Sequence, residues 1–247
     1  MANDFQLINE LKQQLDSKRP IPTAVLKNMR DVYLIEWTYN SNAIEGNTLT
    51  LLETKIVIEE GLTIGGKRLK EHFEAVNHVE AIEYVEDIVA KKEELNHYTL
   101  KNIHSLVLKN IDNENAGKYR QNNVRISGSE HRPPEHIFVQ QEMDNLMHWY
   151  EVSKDILHPV ELATLLHFKF VYIHPFTDGN GRTARLLMNF ILMQHGYPPA
   201  IIKADPVKRI QYYEALELAS MTGNTDNFVK LVIDGVEDNL KEYLSMF

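Results

Sequence analysis

The sequence predicts an all-α fold. Three observations point there. Apolar residues recur at three- and four-residue spacing in most windows, helix start and stop residues bracket those windows, and one stretch alone, 112–136, lacks the period. The chain has 247 residues, 43% apolar and 25% charged, which is ordinary for a soluble protein and enough to bury a core without staples.

The helices follow in order. Ile8, Leu11 and Leu15 form one stripe, and Leu26, Met29, Tyr33 and Trp37 a second. Thr50 and Glu53 make a capping-box pattern before a short helix that Gly61 is placed to stop. Val76, Val79, Ile82, Val85 and Val89 continue on a longer one. Further helices fit Thr99–Lys109, Val139–Val152 and His158–Val171, with Pro159 suited to a first turn. Asp205 followed by Pro206 starts another, running to about Met221, and a last one fits Asp226–Leu244. The aperiodic stretch holds Gly117, Gly128, Pro133 and Pro134, and within it Asn123-Val124-Arg125-Ile126 alternates polar and apolar. It reads as a short β-hairpin on the helical body: a surface loop, or a flap whose free edge pairs with an extended peptide.

Charge and composition narrow the function classes. Twenty-six Lys and Arg against 35 Asp and Glu leave a formal charge of −9, a surface that repels nucleic acid and anionic membrane. There is no cysteine, so disulfides, thiolate nucleophiles and thiolate zinc sites are absent. The sequence begins Met1-Ala2-Asn3-Asp4 without a basic and apolar leader, and its most apolar run, Leu186 to Met193, is too short to span a bilayer. A soluble cytoplasmic protein is the expectation.

The chemistry is concentrated in His174-Pro175-Phe176-Thr177-Asp178-Gly179-Asn180-Gly181-Arg182-Thr183-Ala184-Arg185. An apolar helix ends at His174, a tight loop follows, and a second apolar helix begins, with Leu186, Leu187, Phe190 and Ile191 on its inner face and Gly196 beyond its end. Gly179, Asn180 and Gly181 at a helix start let backbone N–H groups converge on an anion, and the helix dipole adds to that field. Arg182 and Arg185, three apart, would clamp further phosphates. Asp178 offers the hard oxygen that magnesium needs, and His174 takes a proton near neutral pH. Triphosphate, magnesium and base within twelve residues imply phosphoryl or nucleotidyl transfer. The loop joins two helices and lacks Gly-Lys-Ser/Thr, so it is neither a Walker loop nor a Rossmann or kinase loop.

The segment His174–Arg185 resembles the signature of the Fic proteins, His-x-Phe-x-(Asp/Glu)-Gly-Asn-Gly-Arg-x-x-Arg, at every signature position. Ser41-Asn42-Ala43-Ile44-Glu45-Gly46-Asn47 looks like the family's inhibitory motif, here N-terminal to the core. Gly117-Lys118-Tyr119-Arg120 with Val124–Pro134 is similar to its flap. The resemblance runs from about residue 33 to about 235. It implies an all-α Fic-type bundle with a hairpin flap, organised as an N-terminal helical region (1–94) carrying the inhibitory motif, a core (95–236) and a helix end (237–247), packed as one unit.

The implied activity is protein adenylyl transfer: AMP moves from ATP to a Ser, Thr or Tyr hydroxyl of a target protein or of the chain itself. His174 would be the general base. Asp178 would hold magnesium; Gly179, Asn180 and Gly181 would cradle the phosphates; Arg182 and Arg185 would bind the departing pyrophosphate. Val124, Arg125, Ile126 and Ser127 would cover the nucleotide and register the target strand. Tyr212, Tyr213 and Ser220 resemble residues that hold the adenosine, although neighbouring tyrosines on a helix diverge by ~100° and cannot both face one pocket. Glu45, with Ser41, would inhibit by competing for Arg185. Among assemblies the resemblance points to a homodimer, in which concentration would gate activity. Two other readings stand beside transfer: hydrolytic removal of AMP with Glu45 orienting water, and a nucleotide-binding regulatory module without turnover. Without the downstream arginines, Ser41–Asn47 would read as a plain helix end. His72, His78, His104, His167 and His195 lack His-Glu-x-x-His spacing and read as satisfied or solvated side chains.

Overall fold

The computed structural model describes residues 2–247, with side chains from Phe5 onward. Its described residues form ten α-helices and one 3₁₀ turn, without a strand. They are α1 (Ala2–Ser17), α2 (Thr23–Ile44), α3 (Leu51–Glu60), α4 (Leu69–Ala90), α5 (His97–Leu108), α6 (Val139–Ser153), α7 (Pro159–Ile173), α8 (Asn180–Gln194), α9 (Pro206–Thr222) and α10 (Asp226–Leu244). The 3₁₀ turn, His136–Phe138, leads into α6.

Local sequence explains the ends. Thr50 Oγ1 accepts from Glu53 N while Glu53 accepts from Thr50 N, the reciprocal box that starts α3; Gly61, left-handed at φ 64°, stops it. Pro159 opens α7 where an N–H has no intrahelical acceptor. Asp205 accepts from Lys208 N at the start of α9.

The architecture centres on α8. Every side chain from Arg182 to Leu192 is buried, so this helix is enclosed on all sides. Helix α7 packs along it as the most extensive helix pair, and α4 and α5 cover other faces. Helix α1 docks on α10, which brings the first and last helices together. Leu26 is the exception in its stripe: it is 43% exposed while Met29, Tyr33 and Trp37 are buried.

The expected hairpin is not formed. Residues 119–135 run as irregular backbone over the end of α7. Their polar groups meet side chains instead of a strand partner. Arg120, buried, donates to the carbonyls of His174, Asn122 and Pro134, and so ties both ends of the segment to the loop that follows α7. Glu217 of α9 accepts from Ser129 Oγ and from Glu130 N at 2.8 Å. An isolated two-stranded ribbon is marginal in water, and these anchors satisfy the backbone without one. No helix of the described residues is long and apolar enough to cross a membrane.

Candidate active site

Helix α7 ends at His174, which is left-handed at φ 50° and ψ 59°. A non-glycine residue there is strained, a condition that persists where the surroundings over-determine it. The surroundings do so: His174 N donates to Phe170 O at 3.0 Å, and Arg120 Nε donates to His174 O at 2.9 Å. Burial pushes the imidazole pKa down to about 4, the Val171 carbonyl opposing and the Arg120 charge adding to the fall. At neutral pH the ring is therefore an uncharged proton acceptor.

The loop after it is locked at Phe176 and Asn180. Phe176 N donates to Asn180 Oδ1 at 3.0 Å, and Asn180 Nδ2 donates back to Phe176 O at 2.8 Å. The Phe176 ring, fully buried, stacks on His104 of α5 with centroids 3.5 Å apart. His104 also holds the loop backbone. Gly117 N donates to its Nδ1 at 2.9 Å, which leaves the Nε2 proton to donate to Asp178 O, also at 2.9 Å. Gly179 begins α8 at φ 77°, and a Cβ there would press on His104 and Val107 at 3.3 Å. Only glycine fits that conformation without strain.

The N-terminus of α8 is thus an anion-binding end with charged groups around it. Asp178 is half-exposed; its Oδ1 accepts from Gly179 N at 2.6 Å and from Arg182 Nη2 at 3.2 Å. Burial acts to raise its pKa, but Arg182, the Gly179 amide and Lys70 outweigh that and hold the carboxyl below its ordinary value. Arg182 is buried, with Nη1 3.4 Å from Glu74 Oε1, and its Nε and Nη1 lack hydrogen-bond partners. Among the described residues no three His, Asp or Glu side chains converge to enclose a metal.

Arg185, one turn further, is 2% exposed and satisfied by three residues from the end of α2 and from α9. Its Nε donates to Ser41 Oγ at 3.0 Å and Nη2 to Ser41 O at 2.7 Å. Its Nη1 donates to Tyr212 OH at 3.2 Å, and Nη2 to Glu45 Oε1 at 2.7 Å. Glu45 closes α2; Gly46, at φ 97°, turns the chain, and Asn47 N returns to Asn42 O at 3.1 Å. The carboxylate projects over Gly181: a Cβ on that glycine would run into Glu45 Oε1 and lie 3.2 Å from Arg185 Nη1. An acidic side chain therefore occupies the first turn of α8, where the sequence puts an anion.

The remaining site candidates fall as follows. Val124 and Ile126 are half-buried, and Arg125 and Ser127 exposed, on the irregular segment above His174. Tyr212 is buried and bonded to Arg185 and to His167 Nε2 at 3.1 Å, whereas Tyr213 lies at the surface and donates to Ile44 O at 2.9 Å. The two rings diverge as neighbours on a helix must. Ser220 is half-buried further along α9. Of the histidines read as satisfied, His72 has both ring nitrogens bonded, to Ile64 N and Arg68 O, while His78, His167 and His195 each leave one buried nitrogen without a partner. Sequence reading missed His104, Arg120 and Glu74 as parts of the site. Arg120 alone had a signal, the Gly117–Arg120 run; a histidine on α5 and a glutamate on α4 carry none.

Known proteins resemble this chain along nearly all of its length. Residues 94–192 match the model of the Fic/DOC family. A curated relative from Nematostella vectensis, named protein adenylyltransferase Fic, is 40% identical over 97% of this chain and 57% of its own length. The chain spans about half the length of the curated relatives it matches. Among solved structures, a fragment of Fic-1 from C. elegans superposes with a TM-score of 0.87 at 31% identity, covering 99% of this chain and 73% of that one. A Fic-domain-containing signalling protein from Bacteroides thetaiotaomicron gives 0.87 at 30% identity, covering 96% and 95%.

Proposed function

Because this chain belongs to the Fic/DOC family, we propose that it is a protein adenylyltransferase that moves AMP from ATP to a hydroxyl side chain of a target protein, and that Glu45 holds it off. The observation that carries this reading is the first turn of α8. There an uncharged His174, a glycine-lined helix start and the Arg182–Arg185 pair converge, and the Glu45 carboxylate bonds to Arg185 at 2.7 Å.

The step balances as a displacement at the α-phosphorus. The target hydroxyl oxygen attacks phosphorus while its proton passes to the His174 imidazole. The bond to the α–β bridging oxygen breaks, and pyrophosphate leaves with that electron pair. The α8 amides and the Gly179–Gly181 turn stabilise charge that develops on the non-bridging oxygens. Arg182 and Arg185 bind the pyrophosphate portion bidentately. Asp178 fits magnesium as the single carboxylate that such an ion takes when phosphates supply most of its ligands. Bound there, the ion would neutralise phosphate charge.

Inhibition follows from one guanidinium with two claimants. While Glu45 holds Arg185, a γ-phosphate is both deprived of its clamp and repelled by the carboxylate. ATP can then bind with its α-phosphate out of line, and small misplacements cost large rate factors. In this reading residues 1–94 are the regulatory region and 95–236 the catalytic core. Val124–Ser127 serve as the flap over the nucleotide, Tyr213 and Ser220 flank the adenosine, and Tyr212 supports Arg185. A homodimer and a target strand paired to the flap extend the same reading.

The test is incubation with α-phosphate-labelled ATP and magnesium, followed by gel separation, for the native chain and Glu45→Gly. Transfer predicts labelled protein, faster in the variant by orders of magnitude, with ATP affinity changed much less. A variant that labels no faster sinks the inhibitory reading. Binding without label in either chain would leave a nucleotide-binding module, and release of AMP from pre-labelled protein by the native chain would identify the hydrolytic direction.

A further inference from the structure

The last free carbonyl of α2 is held from outside its helix. A helix leaves its final carbonyls without intrahelical donors. At the end of α2, Asn42 O takes Glu45 N and Asn47 N, and Ala43 O takes Gly46 N. Ile44 O takes two donors from α9 instead: Arg209 Nε at 2.9 Å and Tyr213 OH at 2.9 Å. The two donors support each other, since the Arg209 guanidinium lies 5.7 Å from the centre of the Tyr213 ring. The cation also meets the negative end of the α2 dipole. Ile44 directly precedes Glu45, so the peptide that these side chains grip is the one from which the inhibitory carboxylate projects. On the other side of the same turn, Arg185 binds Ser41 O at 2.7 Å.

We infer that Arg209 and Tyr213 form a latch on the Ile44 carbonyl that sets how firmly Glu45 occupies Arg185, making Arg209 a positioning residue for the switch. The inference rests on the proposed inhibition by Glu45. It adds that the hold on the carboxylate is set from α9, at the adenosine side of the site, as well as by Arg185 itself. A ligand group that takes the Tyr213 hydroxyl therefore draws one donor away from α2.

The test uses Arg209→Met, which keeps the aliphatic bulk and removes the donor, in the native chain and in Glu45→Gly. Initial rates of self-labelling with α-phosphate-labelled ATP and magnesium are the first readout. Losing a charge-assisted bond to the carbonyl predicts a rise of about tenfold for Arg209→Met over the native chain, below that of Glu45→Gly. It predicts no further rise when Arg209→Met is added to Glu45→Gly, because the latch acts through Glu45 alone. Hydrogen exchange is the second readout: the amides of residues 44–47 should exchange faster in Arg209→Met while those of α8 do not. General loosening of the fold would instead raise exchange throughout and leave a rate change in the Glu45→Gly background. Native-rate labelling with unchanged exchange at 44–47 overturns the latch, as does a gain that persists without Glu45. If Glu45→Gly itself labels no faster than the native chain, the inhibitory reading has failed and the latch with it. If only the Arg209 arm is flat, the latch alone has failed.

Discussion

In the proposed transfer, His174 would meet two requirements through its position. As the proposed base it would have to present a free imidazole nitrogen to a substrate hydroxyl, and to be uncharged when it does so. The residue ends α7 in a left-handed turn, and burial keeps its ring neutral, with a pKa about 4. Removing a positioned general base typically costs about 10²–10⁴-fold in rate. His174→Ala in the Glu45→Gly background should therefore lose labelling by that factor and retain ATP binding, because the base acts on the hydroxyl and not on the nucleotide. Full-rate labelling by the double variant would remove His174 from the role. Gly181 is the second informative position. Alanine in a helical turn is more favourable than glycine by about 0.5–1 kcal/mol. In the native chain that gain is opposed, because the new methyl meets Glu45 Oε1 and must push the carboxylate from Arg185. In Glu45→Gly that obstacle is gone, and the remaining contact, Arg185 Nη1 at 3.2 Å, needs a shift of only a few tenths of an ångström. Gly181→Ala should thus raise the melting temperature in the Glu45→Gly background and fail to raise it in the native one. Equal shifts in both would mean that the carboxylate does not rest on Gly181.

At the scale of elements, local signals and tertiary anchoring part company. The α3 box, the Pro159 and Pro206 starts and the Gly61 and Gly196 stops were legible because each is a contact between near neighbours in sequence. So was the turn at Gly46. The segment from 119 to 135 was not, since its conformation is set by partners far along the chain: Arg120 on His174 O, 54 residues away, and Glu217 on Glu130 N, 87 residues away. Alternation over four residues cannot report those anchors. The same holds for His104, whose bond to Asp178 O spans 74 residues. An anchored, irregular flap makes a distinct prediction for target capture. Proline at Arg125 or Ile126 removes one backbone donor in the exposed part of the segment and leaves the Arg120 and Glu217 anchors in place. If the flap pairs with an extended target, modification of that target should fall more than ATP binding does. Parallel loss of both would indicate that the fold had been damaged, and no loss would make the segment a plain loop.

For the whole molecule, the feature with the widest consequence is a row of histidines buried without charge around the arginines of α8. His78, His104 and His167 are each no more than 1% exposed. Burial pushes all three down: His104 to about 4, despite the opposing Asp178 carbonyl, and His78 and His167 well below the ordinary value of 6.5. The Arg185 charge acts in the same direction on His78 and His167. In the unfolded chain these rings protonate near pH 6.5. Between that pH and about 4 these three rings alone therefore give the unfolded state up to three more protons than the folded one. Stability rises with pH wherever the unfolded state binds more protons, so across this window acidification removes it. Each group adds a slope approaching 1.4 kcal/mol per pH unit, and three together approach about 4 kcal/mol per unit, before carboxylates begin to titrate near 4.5. Against a total stability of about 5–15 kcal/mol, that is enough to unfold the protein within one to a few units. Urea melts should give nearly constant stability from pH 8 to 7 and a steep fall from 6.5 to 5. Stability unchanged down to pH 5 would mean that these rings take up protons in the folded state. The polar space around the α8 arginines would then be hydrated, and His174, judged by the same burial, would lose its claim to be an uncharged base.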